Sequence, residues 1–116
     1  MRIELPYPPT LNSCYPTNRS GRRTLSTKGR EFRVEVQARI LEQHGIINTL
    51  KGLIKVTLML VPPDKRRRDL DNVIKPVLDG LVHAGVMEDD VQVKAIYAEM
   101  AEPRKSGSCT VLIEEL

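Results

Sequence analysis

Asp69 and Asp71 stand two residues apart, and Lys75 follows four residues later, in the run Arg66-Arg67-Arg68-Asp69-Leu70-Asp71-Asn72-Val73-Ile74-Lys75. In extended backbone, side chains at i and i+2 face the same way, so both carboxylates can converge on one cation. Asp71 and Lys75 share a helix face if a helix has begun by then. Hard dications such as Mg²⁺ favour carboxylate and water oxygens and leave positions open for a substrate phosphate. Farther along, Glu88-Asp89-Asp90 sits in a predicted turn before a strand and could deliver a third carboxylate. Each feature also has a plainer reading. Asp69 or Asp71 can cap a helix, worth about 0.3–1 kcal/mol through the dipole. Asp71 and Lys75 can be an ordinary surface pair worth about 0.2–0.5 kcal/mol, and Glu88 to Asp90 a solvated turn. Spacing alone leaves these alternatives open.

The elements around these residues decide whether they can meet. Residues 2–7 alternate Ile3, Leu5 and Tyr7 against Arg2 and Glu4, which predicts a strand ended by Pro8-Pro9. Residues 10–25 are polar and basic without an apolar period and read as a long loop. Ser26 can cap a helix running to about His44, where Gly45 offers a stop. Phe32, Val36 and Ile40 would form its buried side, leaving Arg30, Arg33 and Arg39 to project toward solvent or a partner. Ile54, Val56, Leu58 and Leu60 mark a second strand over 52–61, closed by Pro62-Pro63.

Leu70, Val73, Ile74, Val77, Leu78 and Leu81 have helical spacing, with Gly85 at the end. A start near Asn72 leaves Pro76 close to the first turn, whereas a start near Asp69 predicts a kink. Val91 to Met100 and Cys109 to Leu116 read as two further strands, with Glu102 to Gly107 as a hairpin loop between them. The expected fold is one α+β domain over residues 1–116. It has a mixed four-stranded sheet and two helices in the order β-α-β-α-β-β.

Composition narrows the function classes. One Phe, three Tyr and no Trp argue against an aromatic platform that stacks single-stranded bases. Eighteen basic and fifteen acidic residues leave a formal charge of +3, but they are segregated. Arg19, Arg22, Arg23 and Lys28 gather in one region and Lys65, Arg66, Arg67 and Arg68 in another, beside the acidic clusters. That distribution suits a polyanion whose backbone is held next to a metal site. No Gly-rich phosphate loop is present, which disfavours a nucleotide phosphotransfer enzyme. No apolar run approaches the roughly 20 residues that span a bilayer, and the strand-like start argues against a secretory leader. A cytoplasmic setting with Cys14 and Cys109 as reduced thiols is the expectation. His44 has no partner in the pattern, and His83, near a helix end, reads as structural.

The run from Arg66 to Lys75, followed by Gly85-Val86-x-Glu88-Asp89-Asp90-x-Gln92-Val93, resembles the RusA family of Holliday-junction resolvases. The opening Ile3-x-Leu5-Pro6-Tyr7-Pro8-Pro9-Thr10-x-Asn12 is a weaker likeness to the same family. The resemblance implies a homodimeric, Mg²⁺-dependent endonuclease (Mn²⁺ being an alternative ion) that nicks four-way junction DNA, of a kind often carried by prophages. It implies no small-molecule cofactor and no membrane partner. By motif, Asp69, Asp71 and Asp90 match the family's essential aspartates and metal ligands, and Lys75 its essential lysine. Arg19, Arg22, Arg23, Lys28 and Lys65 to Arg68 are then expected to hold the DNA backbone.

Overall fold

The computed structural model describes all residues from Met1 to Leu116. In chain order the elements are β1 (Arg2–Leu5), α1 (Leu11–Cys14), α2 (Thr27–His44), β2 (Ile54–Val61), α3 (Asp71–His83), β3 (Val93–Met100) and β4 (Ser108–Glu115). A single 3-10 turn at Asp90–Gln92 precedes β3. One mixed sheet holds the strands in the order β1-β4-β2-β3. β4 runs antiparallel to both β1 and β2, while β2 and β3 are parallel. The mixed α+β architecture expected from the sequence is therefore present.

Strand alternation explains which face is buried. Ile54, Val56, Leu58 and Leu60 of β2 are fully buried, and Ile3, Leu5, Cys109, Val111 and Ile113 join them from β1 and β4. The helices cover this face. α2 contributes Phe32, Val36 and Ile40 at four-residue spacing, and α3 contributes Val73, Val77, Leu78 and Leu81. Gly80 lets the two helices approach closely, since a Cβ there would lie 3.3 Å from Val36 Cγ2. No helix is long and apolar enough to cross a membrane.

The expected hairpin between the last two strands is not formed. β4 lies between β1 and β2, so the segment after β3 crosses the end of β2 instead of turning back beside its own strand. Ala101 N–H donates to the Leu60 carbonyl (2.7 Å) and Arg104 N–H to that of Pro62 (2.9 Å), pinning the crossing. Gly107 makes it possible: its φ is +61°, and a Cβ would sit 2.9 Å from the Val61 carbonyl oxygen. A central β4 is also the better use of its residues, because Cys109, Val111 and Ile113 are buried there. β3 takes the edge, with Ile96 and Tyr97 exposed.

Other boundaries shift for local reasons. β1 ends at Leu5, before Pro6, rather than at Tyr7. The loop expected over 10–25 contains α1, capped by Thr10, whose hydroxyl accepts from Ser13 N–H. Residues 91–92 belong to the 3-10 turn instead of the strand. α2 keeps its expected limits: Ser26 accepts from Gly29 N–H, and Gly45 donates to the Leu41 carbonyl. α3 starts at Asp71, placing Pro76 in the second turn, where its missing N–H leaves the Asn72 carbonyl without a helical partner.

Candidate active site

α3 carries most of the site. Its N-cap is Leu70, with no side-chain capping bond, so neither Asp69 nor Asp71 closes the helix start. Both aspartates are exposed. The one side-chain hydrogen bond to either carboxylate comes from Asn72 Nδ2 to Asp69, at 3.5 Å. A side-chain capping hydrogen bond is therefore absent, although Asp71 in the first turn still faces the positive end of the helix dipole.

Lys75, one turn beyond Asp71, reaches across to the 3-10 turn. Its Nζ lies 2.5 Å from Asp90 Oδ2 and 2.9 Å from Asp79 Oδ1. The hydrogen bond to Asp90, reinforced by the one to Asp79, raises the Lys75 pKa above its ordinary value. Reciprocally, the Lys75 ammonium holds the Asp90 carboxyl below the usual range. Lys75 is thus a fixed cation and Asp90 a fixed anion at neutral pH. Asp79 Oδ2 accepts from the Tyr15 hydroxyl (2.6 Å), and that hydroxyl accepts from Arg33 Nη2 (2.7 Å). Arg33 consequently turns inward, against the expectation that it projects outward. Arg39 stays at the surface as expected, paired with Glu35 along the same helix at 2.9 Å.

Gln92 fixes the turn that presents Asp90. Its side chain is buried, and its Oε1 accepts from the N–H groups of Glu88 (2.8 Å) and Asp89 (3.0 Å). Nε2 donates to the carbonyls of Leu50 (2.9 Å) and Gly52 (2.8 Å). All four hydrogen-bonding positions of the amide are filled, so the turn is tied to the chain entering β2. Asp89 is directed to the backbone, accepting from Val91 N–H at 3.0 Å. His83 borders the same shallow depression as Lys75, Asp79 and Asp90. His44 has a structural partner after all: its Nε2 meets the Arg2 carbonyl at 2.6 Å and ties the end of α2 to β1.

The oxygen donors at Asp69, Asp71 and Asp90 suit a hard dication. No group of three or more His, Cys, Asp or Glu side chains is gathered closely enough to enclose one. The reason is local. Asp69 and Asp71 mark the start of α3, while Asp90 faces its second and third turns and is held there by Lys75. For Asp90 to join the other two around an ion, its carboxylate, whose Oδ2 is engaged by Lys75, would have to be shared with that ammonium or released from it.

The basic residues fall into two surfaces. Residues 17–23 form a small ribbon, with a Thr17–Arg23 bridge. Asn18 Oδ1 accepts from the N–H groups of Ser20 and Arg22, which shapes the tip. Arg19, Arg22 and Arg23 are exposed on it, and Lys28 is exposed on the first turn of α2. Tyr15, two residues before the ribbon, is hydrogen-bonded to Asp79, which is itself a partner of Lys75. Lys65, Arg66 and Arg67 are exposed just before Asp69. Arg68 is different: its side chain is only 17% exposed, 2.8 Å from Asp64 Oδ1, and its guanidinium lies over the Tyr7 ring. It shapes the loop that carries its neighbours.

A lysine locked between carboxylates, exposed aspartates at a helix start and flanking exposed arginines thus lie together on a two-layer α+β scaffold. The family model for endodeoxyribonuclease RusA matches residues 6–114, and the chain belongs to this family. A crossover junction endodeoxyribonuclease of Enterobacteria phage HK97 is 38% identical over 112 residues, covering 97% of this chain and 92% of the relative. The crossover junction endodeoxyribonuclease RusA of Escherichia coli K12 is 37% identical over 114 residues, covering 98% and 93%. That of Shigella sonnei is 36% identical over the same span.

Proposed function

We propose that this protein is a Mg²⁺-dependent endonuclease, able to use Mn²⁺ in place of Mg²⁺, that resolves four-way DNA junctions by paired nicks. The observation carrying this reading is the Lys75–Asp90 pair, formed between α3 and the 3-10 turn, with the free carboxylates of Asp69 and Asp71 at the start of the same helix. The family membership and the names of the relatives support the same reaction.

Asp69, Asp71 and Asp90 are the residues that would hold the cation, whose chemistry when bound is to activate water, neutralise the phosphate and stabilise the departing oxygen. Lys75 supplies a permanent positive charge at the reacting phosphate, where negative charge grows during hydrolysis. Lys65, Arg66 and Arg67 precede Asp69 directly and hold the backbone at the scissile position. The ribbon bearing Arg19, Arg22 and Arg23, with Lys28, engages a neighbouring arm. Such contacts position DNA without reading its sequence, so selectivity comes from junction shape. Paired nicks need two sites related by symmetry, which a homodimer supplies. The proposed setting is cytoplasmic DNA recombination and repair.

The test compares a mobile four-way junction, linear duplex, single strand and free nucleotide, each with Mg²⁺ or with EDTA. Junction cleavage that requires the cation is the expected result. Tight junction binding without cleavage under any cation would make the chain a binding module instead.

A further inference from the structure

Lys75 has two anionic partners of unequal freedom. Asp90 is the more exposed and lies on a separate turn, and it is the carboxylate that a bound cation would claim. Asp79 is on the helix of Lys75 itself, four residues on, with its side chain only 19% exposed. Its second oxygen is tied to Tyr15, and Tyr15 to Arg33, at 2.6 and 2.7 Å. The links run from α2, through the residue just after α1, into the middle of α3. They place the negative charge of Asp79 on a support that does not depend on Asp90.

We propose that Asp79 is a positioning residue, and that with Tyr15 and Arg33 it keeps the Lys75 ammonium aimed into the site when Asp90 turns to a cation. Without this second anchor, a lysine side chain that is half exposed regains its rotamer freedom once Asp90 lets go. Arg33 matters indirectly. Its hydrogen bond occupies the Tyr15 oxygen as an acceptor and leaves the Tyr15 proton directed at Asp79. Tyr15 also lies two residues before the basic ribbon, so one residue links the placement of Lys75 to the surface that meets DNA.

The inference rests on the phosphodiester-cleaving reading above, and the experiment separates the two. Asp79→Asn and Tyr15→Phe are compared with the unaltered protein in single-turnover junction cleavage at saturating protein, and in junction binding without divalent metal. Each 1.4 kcal/mol of lost transition-state stabilisation is about tenfold in rate, so a Lys75 ammonium left without its Asp79 anchor should slow cleavage about tenfold in Asp79→Asn, with binding unweakened. Tyr15→Phe should lose a smaller factor in the same direction, and Asp79→Glu should recover part of the rate. Failure of the unaltered protein to cleave would count against the reaction itself, whereas the ratio between proteins reports on Asp79.

A second readout needs no cleavage. The ¹⁵N-labelled Lys75 ammonium signal, assigned by its loss in Lys75→Ala, should survive Mg²⁺ addition in the unaltered protein and vanish with Mg²⁺ in Asp79→Asn. Wild-type cleavage by Asp79→Asn, a parallel loss of its metal-free binding, or an ammonium signal that Mg²⁺ erases equally in both proteins would each overturn the proposal. Should Asp79→Asn not fold, Tyr15→Phe decides through the same measurements, since it removes one oxygen and keeps the ring.

Discussion

Replacing Gln92 by leucine keeps side-chain volume and removes four hydrogen bonds at once, to Glu88 N–H, Asp89 N–H and the Leu50 and Gly52 carbonyls. A buried group left unpaired costs about 1–3 kcal/mol. Glu88, Asp89 and Gly52 belong to exposed residues, so water can reach part of this set, and leucine gains some apolar burial. The net loss therefore falls to or below the low end of the four-group sum of about 4–12 kcal/mol, at roughly 2–4 kcal/mol. Urea unfolding followed by circular dichroism should show a lower midpoint with an unchanged slope. Cleavage should fall too, because the turn presenting Asp90 loses its tie to the chain before β2, while metal-free junction binding persists. Gln92→Glu sharpens the argument. When ionised, it sets an acceptor against the two carbonyls, which raises its folded pKa above the unfolded value of about 4.3. Its stability is therefore highest below that value and declines as pH rises through the folded pKa. A Gln92→Leu protein within about 0.5 kcal/mol of wild type, the ordinary scale of surface substitutions, that also cleaves normally would refute this account of the turn.

Lys75→Ala should lower cleavage about 100-fold or more while junction affinity changes by less than about threefold; equal losses would make Lys75 a DNA anchor. Arg66→Ala with Arg67→Ala should weaken binding evenly across junction sequences and reduce the salt slope by about 2, read from affinities at several salt concentrations. A slope that stays unchanged would place these arginines away from phosphate. Burial pushes the Cys109 thiol up to about 12. A thiol pKa raised by folding favours the folded state fully below the ordinary thiol range, and that contribution is lost as pH climbs toward the raised value. Native protein should therefore give almost no reaction with a thiol reagent at neutral pH. Prompt labelling of Cys109 in folded protein would contradict its burial.

Most of the scaffold is legible because its signals are local and periodic. Phe32, Val36 and Ile40 announce the buried side of α2, Ser26 and Gly45 its limits, and the alternation through Leu60 the face of β2. α1 escapes because four residues cannot display a helical period. The hairpin expectation failed for a different reason: neighbouring strands in sequence pair by default, but the position of β4 depends on contacts with β1, more than 100 residues away. Exposed Ile96 and Tyr97 are consistent with an edge strand, yet only the assembled sheet makes that plain.

The site divides along the same line. Asp69, Asp71, Lys75 and Asp90 stand in contiguous motifs, and the Lys75–Asp79 spacing of four was available as a helix-pair signal. Tyr15 and Arg33 carry no sequence sign of their roles, because Tyr15 meets Asp79, and Arg33 meets Tyr15, only through packing of α1 and α2 against α3. Gln92 was visible within the motif, but its reason was not. The backbone groups it satisfies lie partly forty residues earlier.

The most direct measurement is cleavage of a mobile four-way junction with mapping of the nicked positions, run with unaltered protein and with Asp71→Asn, in Mg²⁺ and in EDTA. The account predicts symmetric paired nicks by the unaltered protein in Mg²⁺ alone, and none by Asp71→Asn despite retained junction binding. Full cleavage by Asp71→Asn, or equal cleavage in EDTA, would contradict it.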